Sequence, residues 1–200
     1  SAIAAIASLA GYLIWQQSEV NRKLALELES ANSLKVVGKY QDCINRVKGI
    51  SSNVTDPRVQ GLLQECQNGL SEIESKSLLL EAKKFAADNK LEEALKTVTK
   101  INANSSIYAD SLKLAEQWSS SLLDIATKKY QEEGKLQEAI ALLQVIPKNV
   151  AIGKSIEQLP AKWQAEWKAN ETALKSASNA IKESRWSEAI AEAKKITTPY

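Results

Sequence analysis

The sequence predicts an all-α fold, a solenoid of four helical hairpins. Three observations predict it. The same thirteen-residue phrase occurs four times without a gap: GKYQDCINRVKGI at 38–50, NKLEEALKTVTKI at 89–101, GKLQEAIALLQVI at 134–146 and SRWSEAIAEAKKI at 184–196. Within each phrase the apolar residues recur at three- and four-residue intervals, the spacing of one helix face. No stretch alternates as a strand would, and the 200 residues hold only seven Gly and four Pro, which leaves little room for long loops.

Position by position, Gly38, Asn89, Gly134 and Ser184 are the equivalent turn residues. Gly and Asn tolerate the left-handed backbone that ends a helix. Two residues later stand Tyr40, Leu91, Leu136 and Trp186, and five later the small residues Cys43, Ala94, Ala139 and Ala189. Ile44, Leu95, Ile140 and Ile190 come immediately after. Val47, Val98, Leu143 and Ala193 come next, then Ile50, Ile101, Ile146 and Ile196. A small residue on an apolar face marks where a neighbouring helix comes close. Upstream of each turn a first helix carries Ala31, Ala82, Thr127 and Ala177, then Leu34, Phe85, Tyr130 and Ala180.

This set of positions resembles the tetratricopeptide (TPR) repeat, in which a small residue, an aromatic, a turn Gly, an aromatic or Leu, and an Ala follow at these offsets. The likeness is strongest for Ala82, Phe85, Asn89, Leu91 and Ala94, and for Thr127, Tyr130, Gly134, Leu136 and Ala139. TPR units recur about every 34 residues, whereas these turn residues are 51, 45 and 50 apart. The extra length precedes each turn, so the expectation is a TPR-like solenoid with long first helices. One hairpin alone cannot bury its apolar face, and stacked neighbours can. The residues expected in the repeat core are Tyr40, Cys43, Phe85, Leu91, Ala94, Tyr130, Leu136, Ala139, Trp186 and Ala189.

The helices are expected in this order along the chain. The first runs from the N-terminus to about Val37, the second from Tyr40 to Ile50. SSNVTDPRV breaks the chain, and Asp56-Pro57 starts the next helix, with Pro at its first position. That helix continues to about Asp88, past Gly61 and Gly69, and its partner spans Lys90 to Ile101. NANSS at 102–106 is a loop able to cap the next helix. Helices are expected over 107–133 and 136–146, where Pro147 stops the chain and KNVAIGK connects. Pro160 opens or kinks the helix carrying Trp163 and Trp167, and the last helix spans Trp186 to Ile196.

The first fifteen residues, SAIAAIASLAGYLIW, carry no charge. The run is shorter than the roughly 20 apolar residues that span a bilayer. It opens without an initiator Met, and the expectation is the end of a longer apolar segment. Trp15 before Gln16 and Gln17 resembles an interfacial anchor, and Ala4, Ala7, Ser8 and Gly11 would let another membrane helix approach. The domain reading is a single-pass membrane anchor over 1–15 and a repeat domain over 16–200. A buried helix of a soluble fold is the alternative for this run. Glu19, Arg22, Lys23, Glu27 and Glu29 show no excess of positive charge, which favours the non-cytoplasmic side for the repeat domain.

Cys43 and Cys66 lie nearly symmetrically about the break at 51–57, at similar heights on antiparallel helices. A disulfide is one reading and would imply an oxidising compartment. A free, buried Cys43 in place of the repeat's Ala is the other. Trp118, Trp163 and Trp167 are candidates for a partner-binding surface, with helix–helix packing as the alternative. NVT at 53, NSS at 104 and NET at 170 match the N-glycosylation pattern.

Chemistry is poorly provided for. With no His, the commonest general base and metal ligand is missing. Two Cys do not make a zinc site. There is no phosphate-binding Gly loop or nucleophile elbow. The net charge of +2 comes from interspersed residues, so there is no footprint for nucleic acid. No catalytic residue, cofactor, metal or small-molecule substrate is expected. The expected function is a membrane-tethered, non-catalytic scaffold or adaptor that binds a peptide or helix of a partner protein. The alternatives are a structural subunit of a membrane complex, or the regulatory region of a longer membrane enzyme such as a kinase.

Overall fold

The computed structural model describes the backbone of residues 2–51 and 55–198, and the side chains of Tyr12, 15–50 and 55–198. The described residues form nine helices and no strand: α1 Ala2–Val36, α2 Tyr40–Ser51, α3 Pro57–Ala87, α4 Leu91–Val98, α5 Tyr108–Gln131, α6 Leu136–Val145, α7 Ala151–Ser155, α8 Leu159–Lys182 and α9 Trp186–Ala193. The all-α expectation and the long first helices hold. The one element not anticipated is α7, which occupies the expected connector.

All four equivalent turn residues adopt a left-handed backbone: Gly38 at φ 77°, Asn89 at 58°, Gly134 at 67° and Ser184 at 60°. The next residue's N–H reaches back to a carbonyl of the first helix: Lys39 to Leu34, Lys90 to Phe85 and Arg185 to Ala180, at 2.8–2.9 Å. In the third turn Lys135 reaches Lys129, one residue further back, so that turn is wider. Cys43, Ala94, Ala139 and Ala189 then donate alike to Lys39, Lys90, Lys135 and Arg185. Helices α4, α6 and α9 therefore start without a side-chain cap; the turn itself orients the first carbonyl. Ile107, the residue before α5, has no capping side chain, and the 102–106 loop supports the helix start through the Ser105 hydroxyl, which accepts the Ile107 N–H at 3.4 Å.

The residues divide into two compact units, 1–74 and 75–200. In the first unit α1 and α2 pair. Leu24 and Ala31 of α1, Cys43, Ile44, Val47 and Ile50 of α2, and Val59, Leu62 and Cys66 of α3 form its apolar core. Asp56 caps α3 as expected, accepting the Arg58 N–H at 2.8 Å. Gly69 has a packing reason: a Cβ there would lie 2.2 Å from the Tyr40 ring. Cys43 and Cys66 are bonded, with Cα atoms 6.1 Å apart, and both are fully buried. Ion pairs Lys35–Glu65 (2.5 Å) and Arg46–Glu27 (3.0 Å) border this core.

In the second unit α4 packs on α5, α5 on α6, α6 on α8, and α8 on α9. Leu95, Val98 and Ile101, with Ile140, Leu143 and Ile146, share one core with Ala126, Tyr130 and Trp163. The small positions Ala82, Ala94 and Ala139 are fully buried. Gly153 in α7 has no room for a side chain, because a Cβ would sit 1.9 Å from the Pro147 carbonyl oxygen. Glu116 of α5 holds the start of α7, accepting N–H bonds from Ala151 at 2.8 Å and Ile152 at 3.1 Å.

Candidate protein-interaction surfaces

Trp163 is buried and stacked on Tyr130, with ring centroids 4.7 Å apart. Trp118 and Trp167 are half-buried against the same core. The three tryptophans therefore seal α5 and α8 into the unit, which matches the packing alternative more closely than a freely exposed aromatic patch. Trp163 retains one edge on a groove. That groove, of about 740 Å³, runs between α5 and α8. Leu123 and Thr127 of α5 face Leu159 and Trp163 of α8 across it, and Asp124, Gln131, Lys162 and Glu166 supply its polar rim. Helix α5 pairs with α6 and α8 with α9, so the groove lies between these two helical hairpins.

Of the ten expected core residues, Cys43, Ala94, Tyr130, Leu136, Ala139 and Ala189 are buried, and Tyr40, Phe85 and Leu91 are half-buried. Trp186 departs from the expectation. It is 61% exposed, although Leu136 at the equivalent position is buried. Ile190 repeats the contrast at 57% exposed, against 0–6% for Ile44, Leu95 and Ile140. The physical reason lies in what covers each second helix. Val59 and Leu62 of α3 share a core with the face of α2, α5 packs on α4, and α8 packs on α6. Among the described residues no helix besides α8 packs on α9. Sequence reasoning missed this face, because the four phrases are alike and exposure depends on the next helix.

Leu174 and Ile181 of α8 are also exposed. The segment after α9 is tied to the start of α8. Thr197 donates its hydroxyl to Glu166 at 2.6 Å and its N–H to Asn170 at 3.2 Å, and Asn170 donates to the Thr198 hydroxyl at 2.8 Å. Glu166 and Glu116 stand at the same distance before their turn residues, and both hold the chain that leaves a second helix. Asn170 is thus buried and engaged, and the NET match does not present an accessible acceptor. Asn104 is exposed, and Asn53 lies outside the described residues.

Around the third turn, Lys129, Glu133, Lys135 and Glu138 interlock. Lys129 reaches Glu138 at 2.7 Å, and Lys135 reaches Glu133 at 3.0 Å. The Lys135 hydrogen bond lowers the Glu133 pKa, and the Lys129 hydrogen bond lowers that of Glu138. These are surface pairs that brace the turn. Among the described residues no cluster of three or more Cys, Asp or Glu side chains is placed to hold a metal ion.

The expected membrane anchor over 1–15 lies largely outside the described side chains. Tyr12 and Trp15 are exposed and adjacent, with ring centroids 6.3 Å apart. Among the described residues no helix is long and apolar enough to cross a membrane. Comparison with known protein families, curated proteins and solved structures finds no match to this chain.

Proposed function

We propose that this chain is a TPR-like protein-interaction scaffold, non-catalytic and tethered to a membrane by the apolar segment that ends in residues 1–15. The observation that carries the reading is the groove between α5 and α8. It has an apolar floor in Leu123, Leu159 and Trp163 and a polar rim of both charges. A floor of this kind holds apolar side chains of an extended or helical peptide, and the rim orients its backbone and charges. The Tyr130–Trp163 stack ties the two walls together and the Lys129–Glu138 pair joins α5 to α6, which reduces the ordering cost of binding. The Cys43–Cys66 disulfide supports an oxidising, non-cytoplasmic setting for the domain.

The test is cross-linking mass spectrometry on native membranes that contain the full-length protein. Links from Lys162 and its neighbours on the groove rim should converge on one partner. Filling the groove with Gln131→Trp, or reversing a rim charge with Asp124→Lys, should abolish those links without lowering the melting temperature. Links that survive both variants would overturn the groove. Links dominated by the N-terminal helix at fixed stoichiometry would instead identify a structural subunit of a membrane complex.

A further inference from the structure

The second unit holds a cavity separate from the groove. Its volume is about 250 Å³, and it lies where the end of α4, the start of α5 and the link from α6 to α7 meet. Val98, Ile101, Ser111 and Ala115 line it and are buried, so they form its floor, with half-buried Leu112 beside them. Thr99, Ala103 and Asn149 are exposed and form its mouth. Tyr108 lines the wall, and its hydroxyl accepts from the Asn149 side-chain N–H at 3.3 Å. These two residues are 41 apart in the chain, so the site exists only once the unit has folded.

Charge, polarity and size limit what the cavity can hold. None of its lining residues is charged. A charged ligand would give up its hydration there with no opposite charge to replace it. The floor is apolar except for Ser111, so water on that side finds few partners. An apolar ring that displaces poorly held water gains affinity. The volume equals that of about eight liquid waters. It takes one ring with a short substituent, and is smaller than the pockets that hold drug-sized ligands.

The polar groups name the substituent. Ser111 donates its hydroxyl to the Tyr108 carbonyl at 2.7 Å, and Thr99 donates to the Lys96 carbonyl at 3.0 Å. Each hydroxyl oxygen keeps lone pairs with which to accept. The Tyr108 hydroxyl, accepting from Asn149, keeps its own proton to donate. The walls thus offer both a donor and acceptors. A ligand hydroxyl suits them, since it accepts and donates.

We propose that this cavity binds a small neutral ring compound bearing a hydroxyl group. The ring lies on Val98, Ile101, Leu112 and Ala115, and the hydroxyl accepts from Tyr108. The cavity shares no lining residue with the α5–α8 groove, so the proposal stands whether or not that groove binds a peptide.

The test titrates the full chain with phenol, benzene and benzoate, and follows backbone amide shifts by two-dimensional NMR. Phenol should shift amides of 98–115 and of Asn149 and saturate with a Kd of about 1 mM, an affinity in keeping with so small a ligand. Benzene, which lacks the hydroxyl, should bind about fivefold more weakly. Benzoate should bind at least about tenfold more weakly than phenol, because its charge finds no partner. Tyr108→Phe keeps the ring and removes the donor. It should weaken phenol about fivefold and leave benzene unchanged, a split that a purely structural role for Tyr108 does not produce. Ala103→Trp, at the exposed mouth, should abolish binding of both at an unchanged melting temperature. Absence of localised shifts at about 20 mM phenol would overturn the proposal. So would benzoate binding as tightly as phenol, equal weakening of phenol and benzene by Tyr108→Phe, or phenol binding that survives Ala103→Trp.

Discussion

The two units solve one problem differently. Residues 1–74 pair one hairpin with the start of α3, and their core is built from aliphatic residues around a buried cystine. Residues 75–200 stack further hairpins, hold no cysteine, and centre their core on the Tyr130–Trp163 stack. A small core leaves little margin over conformational entropy, and a covalent link offsets this by restricting the unfolded chain. A larger core with fully buried aromatics does not need one. Cys43 aligns with Ala94, Ala139 and Ala189, all buried, so a small residue at this place serves packing in one unit and cross-linking in the other.

The strongest way to break this comparison is Trp163→Ala. It removes a buried aromatic and its stacking partner's contact, and should cost about 3–5 kcal/mol. Hydrogen exchange should report lost protection over 75–198 and unchanged protection over 20–50; uniform loss would erase the division. Replacing Cys43 and Cys66 together by Ala should cost about 3 kcal/mol, from the loop of 23 residues that the bond closes. The loss should fall on the first unit, with a lower denaturant midpoint there. An unchanged midpoint would mean that the aliphatic core suffices.

Smaller effects sharpen the comparison within the second unit. Ile140→Ala should cost about 2 kcal/mol or more, and the equivalent Ile190→Ala less than about 0.5 kcal/mol. Similar costs would show that α9 is covered in solution. Ser184→Gly should stabilise the last hairpin by about 1 kcal/mol, because a Cβ is disfavoured at φ 60°. Asn89→Gly should gain less, since Asn tolerates that region. Least of all is the acid response of the third turn. Glu133 and Glu138 have pKa values lowered by Lys135 and Lys129. Their contribution is therefore present at neutral pH and is lost as the pH falls through those lowered values. Thermal melts of Glu133→Gln with Glu138→Gln should show a flatter acid limb, and high salt should mask the difference.

Much of the fold is legible because it is local. Gly38, Asn89, Gly134 and Ser184 sit where helices end, and Asp56-Pro57 where one starts; each choice concerns a few backbone angles and one or two hydrogen bonds. The spacing of Cys43, Ala94, Ala139 and Ala189 marks close helix contacts by size alone. The candidate surfaces were less legible. The groove depends on how α5 and α8 splay, and Trp163 reads identically in a sequence whether it faces a ligand or Tyr130.

By itself, the sequence determined the helices, their turns and which face of each is apolar, since periodicity and turn chemistry act within a few residues. Only the tertiary structure decided that Cys43 meets Cys66, that Trp163 stacks rather than projects, that Gly153 lies against Pro147, and that the face of α9 stays open while three like it are covered. Each of these depends on which distant segment arrives at a surface, and burial is a property of that pair rather than of either residue.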